Sequence, residues 1–95
     1  MPLHAPVALP AQPTFHLLIL RALRELGGRA ERQAIRRRAV ELGHFTTTQL
    51  AIPASPSKRR QYASMIDCRL SWALTQLKHT GRVERVAPSM WALTH

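Results

Sequence analysis

The sequence predicts a mostly α-helical domain with a small β-hairpin: a winged helix-turn-helix, in which a two-stranded C-terminal wing follows a three-helix core. Three segments carry apolar residues at helical intervals of three or four positions. Glycines at Gly27, Gly43 and Gly81 follow these segments, as expected where helices end. Beyond Gly81 the pattern changes to two short alternating runs, which is typical of a hairpin. A chain of 95 residues has room for a single modest core.

An N-terminal arm over residues 1–13 precedes a domain predicted over 14–95. The arm contains four prolines and neither lysine nor arginine, so it is predicted to be flexible rather than a secretory signal. Helix one is predicted over 14–26, with Thr14 as its N-cap. Its core stripe consists of Phe15, Leu18, Ile19, Ala22, Leu23 and Leu26.

Leu17 and Leu20 lie beside the core stripe of helix one. Either they form a contact between two copies of the chain, which would make a homodimer through helix one, or they are ordinary surface leucines. Helix two is predicted over 30–42, with Ile35, Ala39 and Leu42 buried and Gly43 closing it. Residues 44–57 read as a loop that holds one short helical turn near 46–49.

Helix three is predicted as one long helix from Pro56 to Thr80, whose N-terminal part projects from the domain or frays because about 25 residues is long for so small a domain. Ser55 and Pro56 resemble an N-cap followed by proline at the first helical position. No helix-breaking residue follows before Gly81, and the apolar repeat comprises Tyr62, Ile66, Leu70, Ala73 and Leu77. Two strands are predicted over 82–87 and 90–94, joined by a turn at 87–89. In a winged helix-turn-helix the third helix usually reads the DNA groove.

The charge points to a polyanionic partner. The chain has 14 Lys and Arg against 5 Asp and Glu, a formal net charge of +9, and a pI of about 11.7. Arginine accounts for most of it, and its guanidinium suits phosphate oxygens. A small basic domain of this kind usually meets nucleic acid.

Several classes of protein are excluded or disfavoured. The single cysteine, Cys68, rules out an internal disulfide and favours a reducing, cytoplasmic setting. No apolar run approaches the ~18 residues of a membrane span. The histidines lack metal-ligand spacing, and no phosphate-binding glycine loop is present. We therefore expect no metal, no cofactor and no enzymatic activity in a cytoplasmic, nucleoid-associated protein.

Residues 69–83, RLSWALTQLKHTGRV, carry a pattern of Arg, two residues, Trp-Ala, three residues, Leu-Lys, two residues and Gly. This pattern resembles the N-terminal domain of Mrr-type restriction endonucleases. Residues 90–94 match the closing strand of that domain, and 15–28 match its opening helix and glycine. The resemblance covers about 14–95 and implies a winged helix that recognises DNA and is normally tethered to a nuclease domain.

Two departures from the family pattern qualify this reading. Cys68 stands where the family often has asparagine, and a thiol cannot read adenine through two hydrogen bonds as an amide does. None of the five acidic residues lies two positions before a lysine, so the carboxylate and lysine set of a metal-dependent nuclease is missing. The resemblance therefore implies the DNA-binding half without the cutting half.

The candidate DNA-binding residues of helix three fall into two groups. Its N-terminal cluster, Lys58, Arg59 and Arg60, is predicted to hold phosphates, or else to be a solvated loop. The predicted outer face is small and polar, with the first two residues as base readers; it comprises Gln61, Ser64, Cys68, Ser71 and Thr75. Arg69 either reaches phosphate or pairs with Asp67 or Glu84.

Further candidates lie on helix two and on the wing. Arg36 and Arg37 would contact the backbone from helix two, although charge runs on helices are often merely solvated. Arg82, Arg85 and Ser89 would contact the flanking backbone or minor groove. The aromatic residues Trp72, Trp91 and Tyr62 are expected to pack in the core rather than to stack on bases.

The sequence predicts a protein that binds double-stranded DNA, either as a small transcriptional regulator or as the DNA-recognition module of a restriction-like system. Two alternatives remain: an RNA- or ribosome-associated winged helix, which would recognise A-form duplexes by shape, and a protein-interaction module that uses Leu17 and Leu20.

Overall fold

The computed structural model describes residues 8–94, and these form a winged helix-turn-helix as predicted. Four α-helices and three strands follow one another in the order helix, strand, three helices and hairpin. Their bounds are α1 Gln12–Glu25, β1 Arg29–Glu31, α2 Arg32–Gly43, α3 Thr47–Leu50, α4 Met65–His79, β2 Val83–Ala87 and β3 Met90–Leu93. A 3₁₀ turn, Pro56–Lys58, precedes α4. None of the described helices is long and apolar enough to cross a membrane.

Helix α1 begins two residues earlier than predicted. Its N-cap is Ala11 rather than Thr14, and Pro13 lies in the first turn. Proline is accepted there because the first amides of a helix have no intrahelical acceptor. The described part of the predicted arm contacts the domain, since Leu9 packs against the core and Gln49 Nε2 donates to the Ala8 carbonyl at 3.0 Å. Residues 1–7 of the arm lie outside the described residues.

The core forms where α1 meets α2 and α4. Phe15, Ile19 and Leu23 are fully buried, as the helical spacing predicts. The prediction was wrong at two positions: Leu20 is buried and Leu26 is exposed. Leu20 is buried because other elements cover more than one side of α1, whereas Leu26 lies just beyond the last helical residue.

Strand β1 was missed in the sequence. It is only three residues long and pairs antiparallel with β3, with Ala30 opposite Trp91. The wing is therefore part of a three-stranded sheet in the order β1-β3-β2. The turn between β2 and β3 is also tied to α2, because the Arg32 amide donates to the Ser89 carbonyl at 2.7 Å.

The end of α2 differs slightly from the prediction. Gly43 is its last helical residue, and His44 takes the left-handed conformation that follows, with φ 50°. Glycine is needed at position 43 for space rather than for a left-handed backbone, because a Cβ there would lie 2.3 Å from Phe45 Cε2. The Phe45 ring stacks on Phe15, with centroids 5.9 Å apart.

The predicted long helix three is interrupted. The 3₁₀ turn ends at Lys58, and regular helix begins only at Met65, after an extended Ser64 whose side chain accepts from the Asp67 amide at 3.1 Å. The Met65 amide donates to the Ile52 carbonyl. A continuous helix would extend its first turns into solvent, whereas the observed path returns the segment to the domain. The short turn at 47–50 and the two hairpin strands lie where they were predicted.

Candidate nucleic-acid interface

Two grooves run along opposite flanks of α4. The first, here called the α2-side groove, lies between α2, residues 61–63 and α4, above the buried side chains of Ile19, Leu70 and Leu74. The second, the α1-side groove, lies between the start of α1, Lys58 and α4. Helical spacing sets this arrangement, because positions 67 and 74 face one flank of α4, 69, 72 and 76 face the other, and 71 borders both grooves.

The α2-side groove is rich in arginine. Arg32, Arg36 and Arg37 reach it from α2, and Gln61 from the preceding segment. Asp67 on α4 also lines the groove and forms an ion pair with Arg36. Part of this positive charge is therefore neutralised, while Arg32 and Arg37 have no carboxylate of a described residue within 4.0 Å.

The α1-side groove carries two cations and most of the predicted reading face. Lys58 and Arg69 line it together with Cys68, Ser71 and Thr75. Gln12 from α1 closes one side, because its Nε2 donates to the Arg69 carbonyl at 3.0 Å. A second hydrogen bond between α1 and α4 joins His16 Nε2 and Gln76 Oε1, which are 2.7 Å apart.

A small polar cluster connects both grooves. Arg32 Nη2 donates to Ser71 Oγ at 2.7 Å, and its guanidinium lies 6.0 Å from the centroid of the Tyr62 ring. The Tyr62 hydroxyl is 3.0 Å from the same Ser71 oxygen. The cluster holds residues 59–64 against α4 and α2, and it occupies the Ser71 hydroxyl that was predicted to face DNA.

Several predicted site residues line neither groove. Arg59 and Arg60 are exposed next to Lys58, and Arg59 Nε donates to the Ala54 carbonyl at 3.2 Å. Ser64 is the N-cap of α4. On the wing, Arg82, Arg85 and Ser89 are all exposed but form part of the hairpin rather than of either groove.

One predicted alternative for Arg69 is wrong. Asp67, named as a possible partner, pairs with Arg36 instead. In residues 8–94 neither Asp67 nor Glu84 forms an ion pair with Arg69. Asp67 and Arg69 are two positions apart on a helix, so they face different flanks of α4.

Most of the positive charge has no acidic partner. Arg21, Arg36 and Arg38 form the ion pairs of the described residues, which leaves 11 of the 14 Lys and Arg side chains, 14 − 3, without one. Glu25 lies away from both grooves and accepts from Arg38 Nε at 2.8 Å. This hydrogen bond holds the pKa of Glu25 below its ordinary value of 4.5 and raises the pKa of Arg38.

The prediction that Trp72 packs in the core is wrong. Its side chain is 56% exposed and lies in the α1-side groove. Trp91 and Tyr62 are half-buried, and Trp91 packs against the core. Sequence reasoning also left Arg32, Gln33, Gln12 and Gln76 out of the site. Arg32 and Gln33 continue the arginine-rich face of α2, so the sequence offered a signal for them. Gln12 and Gln76 take part in contacts between α1 and α4, which no local sequence pattern reveals.

This arrangement is suited to binding. Within the described range no group of three or more His, Cys, Asp or Glu side chains could hold a metal ion. The grooves offer guanidinium, ammonium, amide and hydroxyl donors, which are the groups that hold phosphate oxygens and base edges.

The order of the helices, the three-stranded sheet and the basic flanks of α4 define a winged helix-turn-helix domain. A comparison with protein-family models matches residues 13–95 to the Mrr N-terminal domain. The chain thus belongs to the Mrr N-terminal domain family, whose members are related to restriction systems, and the resemblance seen in the sequence is confirmed. Comparisons with curated proteins and with solved structures returned no match.

Proposed function

We propose that this domain binds double-stranded DNA, with α4 in the major groove and the cations of both flanking grooves on the two phosphate backbones. The observation that carries the proposal is the position of basic side chains on both sides of one helix: Arg32 and Arg37 on one flank, Lys58 and Arg69 on the other. A major groove about 12 Å wide admits an α-helix and has a phosphate strand on each side.

Four further exposed cations extend this surface. Arg59 and Arg60 follow Lys58 in the segment before α4, and Arg82 and Arg85 lie on the hairpin after it. On this proposal the first pair adds phosphate contacts near the start of α4, and the second holds the flanking backbone. The small side chains of Cys68 and Thr75 let α4 approach the base edges closely.

The family favours a recognition module of a restriction-like system over a transcriptional regulator, because the matched domain is one of restriction systems. We infer that the domain acts by binding rather than catalysis, in the cytoplasm at the nucleoid. Among residues 8–94, Asp67 is the one carboxylate that lines the two grooves, and it is paired with Arg36. Duplex RNA fits less well, because its major groove is too deep and narrow for side chains to read.

The experiment is a fluorescence-anisotropy titration of random-sequence duplex DNA, duplex RNA and single-stranded DNA. We expect duplex DNA to bind at micromolar concentration or below, more tightly than the other two. The double variant Arg37→Glu with Lys58→Glu, which places one reversal on each flank, should lose most of this affinity. Arg24→Glu, an exposed reversal on α1 that lines neither groove, is the matched control.

The outcomes separate the alternatives. Absence of duplex-DNA binding at low salt overturns the proposal, and tighter binding of duplex RNA favours an RNA-binding role. The double variant reverses two charges and Arg24→Glu reverses one. If both lose the same binding free energy per reversed charge, the flanks of α4 are not part of the interface.

A further inference from the structure

The most exposed aromatic side chain of the described residues lies on the helix that we place in the major groove. Trp72 is 56% exposed, while Trp91, Tyr62 and Phe45 are half-buried and Phe15 is fully buried. An exposed tryptophan leaves a large apolar area in water, and such residues mark contact sites more often than packing sites. Nothing in the packing of α4 accounts for it, because the core side of the helix is filled by Ile66, Leu70, Ala73, Leu74 and Leu77.

The neighbours of Trp72 restrict what this surface can recognise. Residues at intervals of four, three and four positions form the outer ridge of α4, which comprises Cys68, Trp72, Thr75 and His79. None of them carries the paired donors and acceptors through which Asn, Gln or Arg reads adenine or guanine. Gln76, the one amide on α4, is held by His16. Trp72 is therefore the largest reading element of the ridge, and it is mainly apolar.

The major groove offers an apolar group at one base: the C5 methyl of thymine. We propose that Trp72 is a specificity-determining residue that packs against this methyl group, so that the domain prefers A·T pairs beneath the middle of α4. The inference rests on the proposed function, because it requires α4 to lie in the major groove. Cys68 and Thr75, one turn to either side, are short enough for the indole to reach the base edges first.

The contact can be tested by removing the methyl group alone. Two duplexes of identical alternating sequence are compared, one with A·T pairs and one with A·U pairs, so that every register offers the methyl or lacks it. Burial of one methyl group corresponds to about fourfold in affinity. We therefore expect the wild-type domain to bind the A·T duplex about fourfold more tightly for each methyl contacted.

Variants assign the preference to Trp72. Trp72→Ala should bind both duplexes equally, and Trp72→Phe should keep part of the ratio because a phenyl ring still packs on a methyl group. Leu17→Ala, which removes an apolar side chain that is 67% exposed on α1, is the matched control and should keep the full ratio. The melting temperature of each variant shows whether it is folded.

Each outcome supports or overturns the inference. Equal binding of the two duplexes by the wild type overturns it while leaving the proposed function intact. So does a ratio that survives in folded Trp72→Ala, since the discrimination then comes from elsewhere. Tighter binding of single-stranded oligo-dT than of the A·T duplex also overturns it, because stacking of bases on an aromatic side chain would then explain the exposed Trp72. Failure of the wild type to bind either duplex removes the proposed function together with the inference.

Discussion

The Ser64 hydroxyl caps the N-terminus of α4. It accepts a hydrogen bond from the Asp67 amide at 3.1 Å, and it allows the helix to start where the preceding segment turns back. We expect Ser64→Ala to lower the free energy of unfolding by about 1 kcal/mol, because an amide loses its cap. Ser64→Asp should keep most of the stability. Urea unfolding measures both, and equal stabilities for wild type and Ser64→Ala would contradict the capping role.

We expect the stability of the fold to decrease at acidic pH because Glu25 becomes protonated. The hydrogen bond from Arg38 holds the pKa of Glu25 below 4.5 in the folded state, so folding favours the ionised carboxylate. This stabilisation is present above the unfolded pKa and is lost as the pH falls through the lowered value. Glu25→Gln should melt below the wild type at neutral pH, and the difference between the two melting temperatures should narrow below about pH 4.5.

The matched control for that experiment is Glu84→Gln. Glu84 is exposed on β2 and forms no ion pair with a described residue. Its melting temperature should therefore follow the wild type across the same pH range. If the melting temperatures of Glu25→Gln and wild type differ by the same amount at every pH, or not at all, ionised Glu25 does not stabilise the fold through Arg38.

The positions of single side chains were predictable where helical spacing alone decides them. Phe15, Ile19 and Leu23 were assigned to the core from spacing, and they are fully buried. Trp72 was also assigned to the core, because aromatic residues are few and their spacing looks core-like, but it shares the outer face of Cys68 and Thr75 and is exposed. The buried residues of α4 recur at intervals of three and four positions from Ile66 to Leu77, and position 72 falls outside that stripe.

Among the elements, the loop before α4 shows where local sequence is insufficient. Residues 56–64 contain no glycine and only one proline, at the start, so the sequence permits a continuous helix. The break depends on distant partners: Ile52 accepts from the Met65 amide, and Ser71 and Arg32 hold Tyr62. Strand β1 likewise forms only because β3, some sixty residues later, pairs with it. Tertiary contacts override helix propensity in both cases.

The junction between α4 and β2 depends on Gly81. Its φ is +76°, its amide donates to the Lys78 carbonyl, and the next amide donates to the Leu77 carbonyl at 2.8 Å. A Cβ at this position would meet no atom within 4 Å, so a substitution tests backbone strain alone. We expect Gly81→Val to lower the free energy of unfolding by roughly 1–2 kcal/mol, because L-residues avoid the left-handed region.

Asparagine is the control for Gly81, because it enters the left-handed region more readily than a β-branched residue. Gly81→Asn should therefore fall between wild type and Gly81→Val in chemical unfolding. A Gly81→Val protein as stable as the wild type would show that this turn can be reached without a left-handed residue.

For the whole molecule, charge decides how strongly DNA binding depends on salt. Two unpaired cations line each groove, Arg59 and Arg60 lie before α4, and Arg82 and Arg85 lie on the hairpin. If six to eight of these neutralise phosphates, the logarithm of the binding constant falls against the logarithm of salt concentration with a slope of about −5 to −7. Anisotropy titrations of duplex DNA at several salt concentrations measure this slope.

Single neutralisations then assign the phosphate contacts one at a time. Arg37→Ala and Lys58→Ala, one on each flank of α4, should each reduce the magnitude of the slope by about 0.9, because one fewer counterion is released. Arg24→Ala removes an equal charge on α1 and should leave the slope unchanged. Trp72→Ala should weaken binding at every salt concentration with the same slope as the wild type, since an indole releases no counterions. A change in slope on one flank only would place α4 against a single phosphate strand, and that result would contradict its position in the major groove.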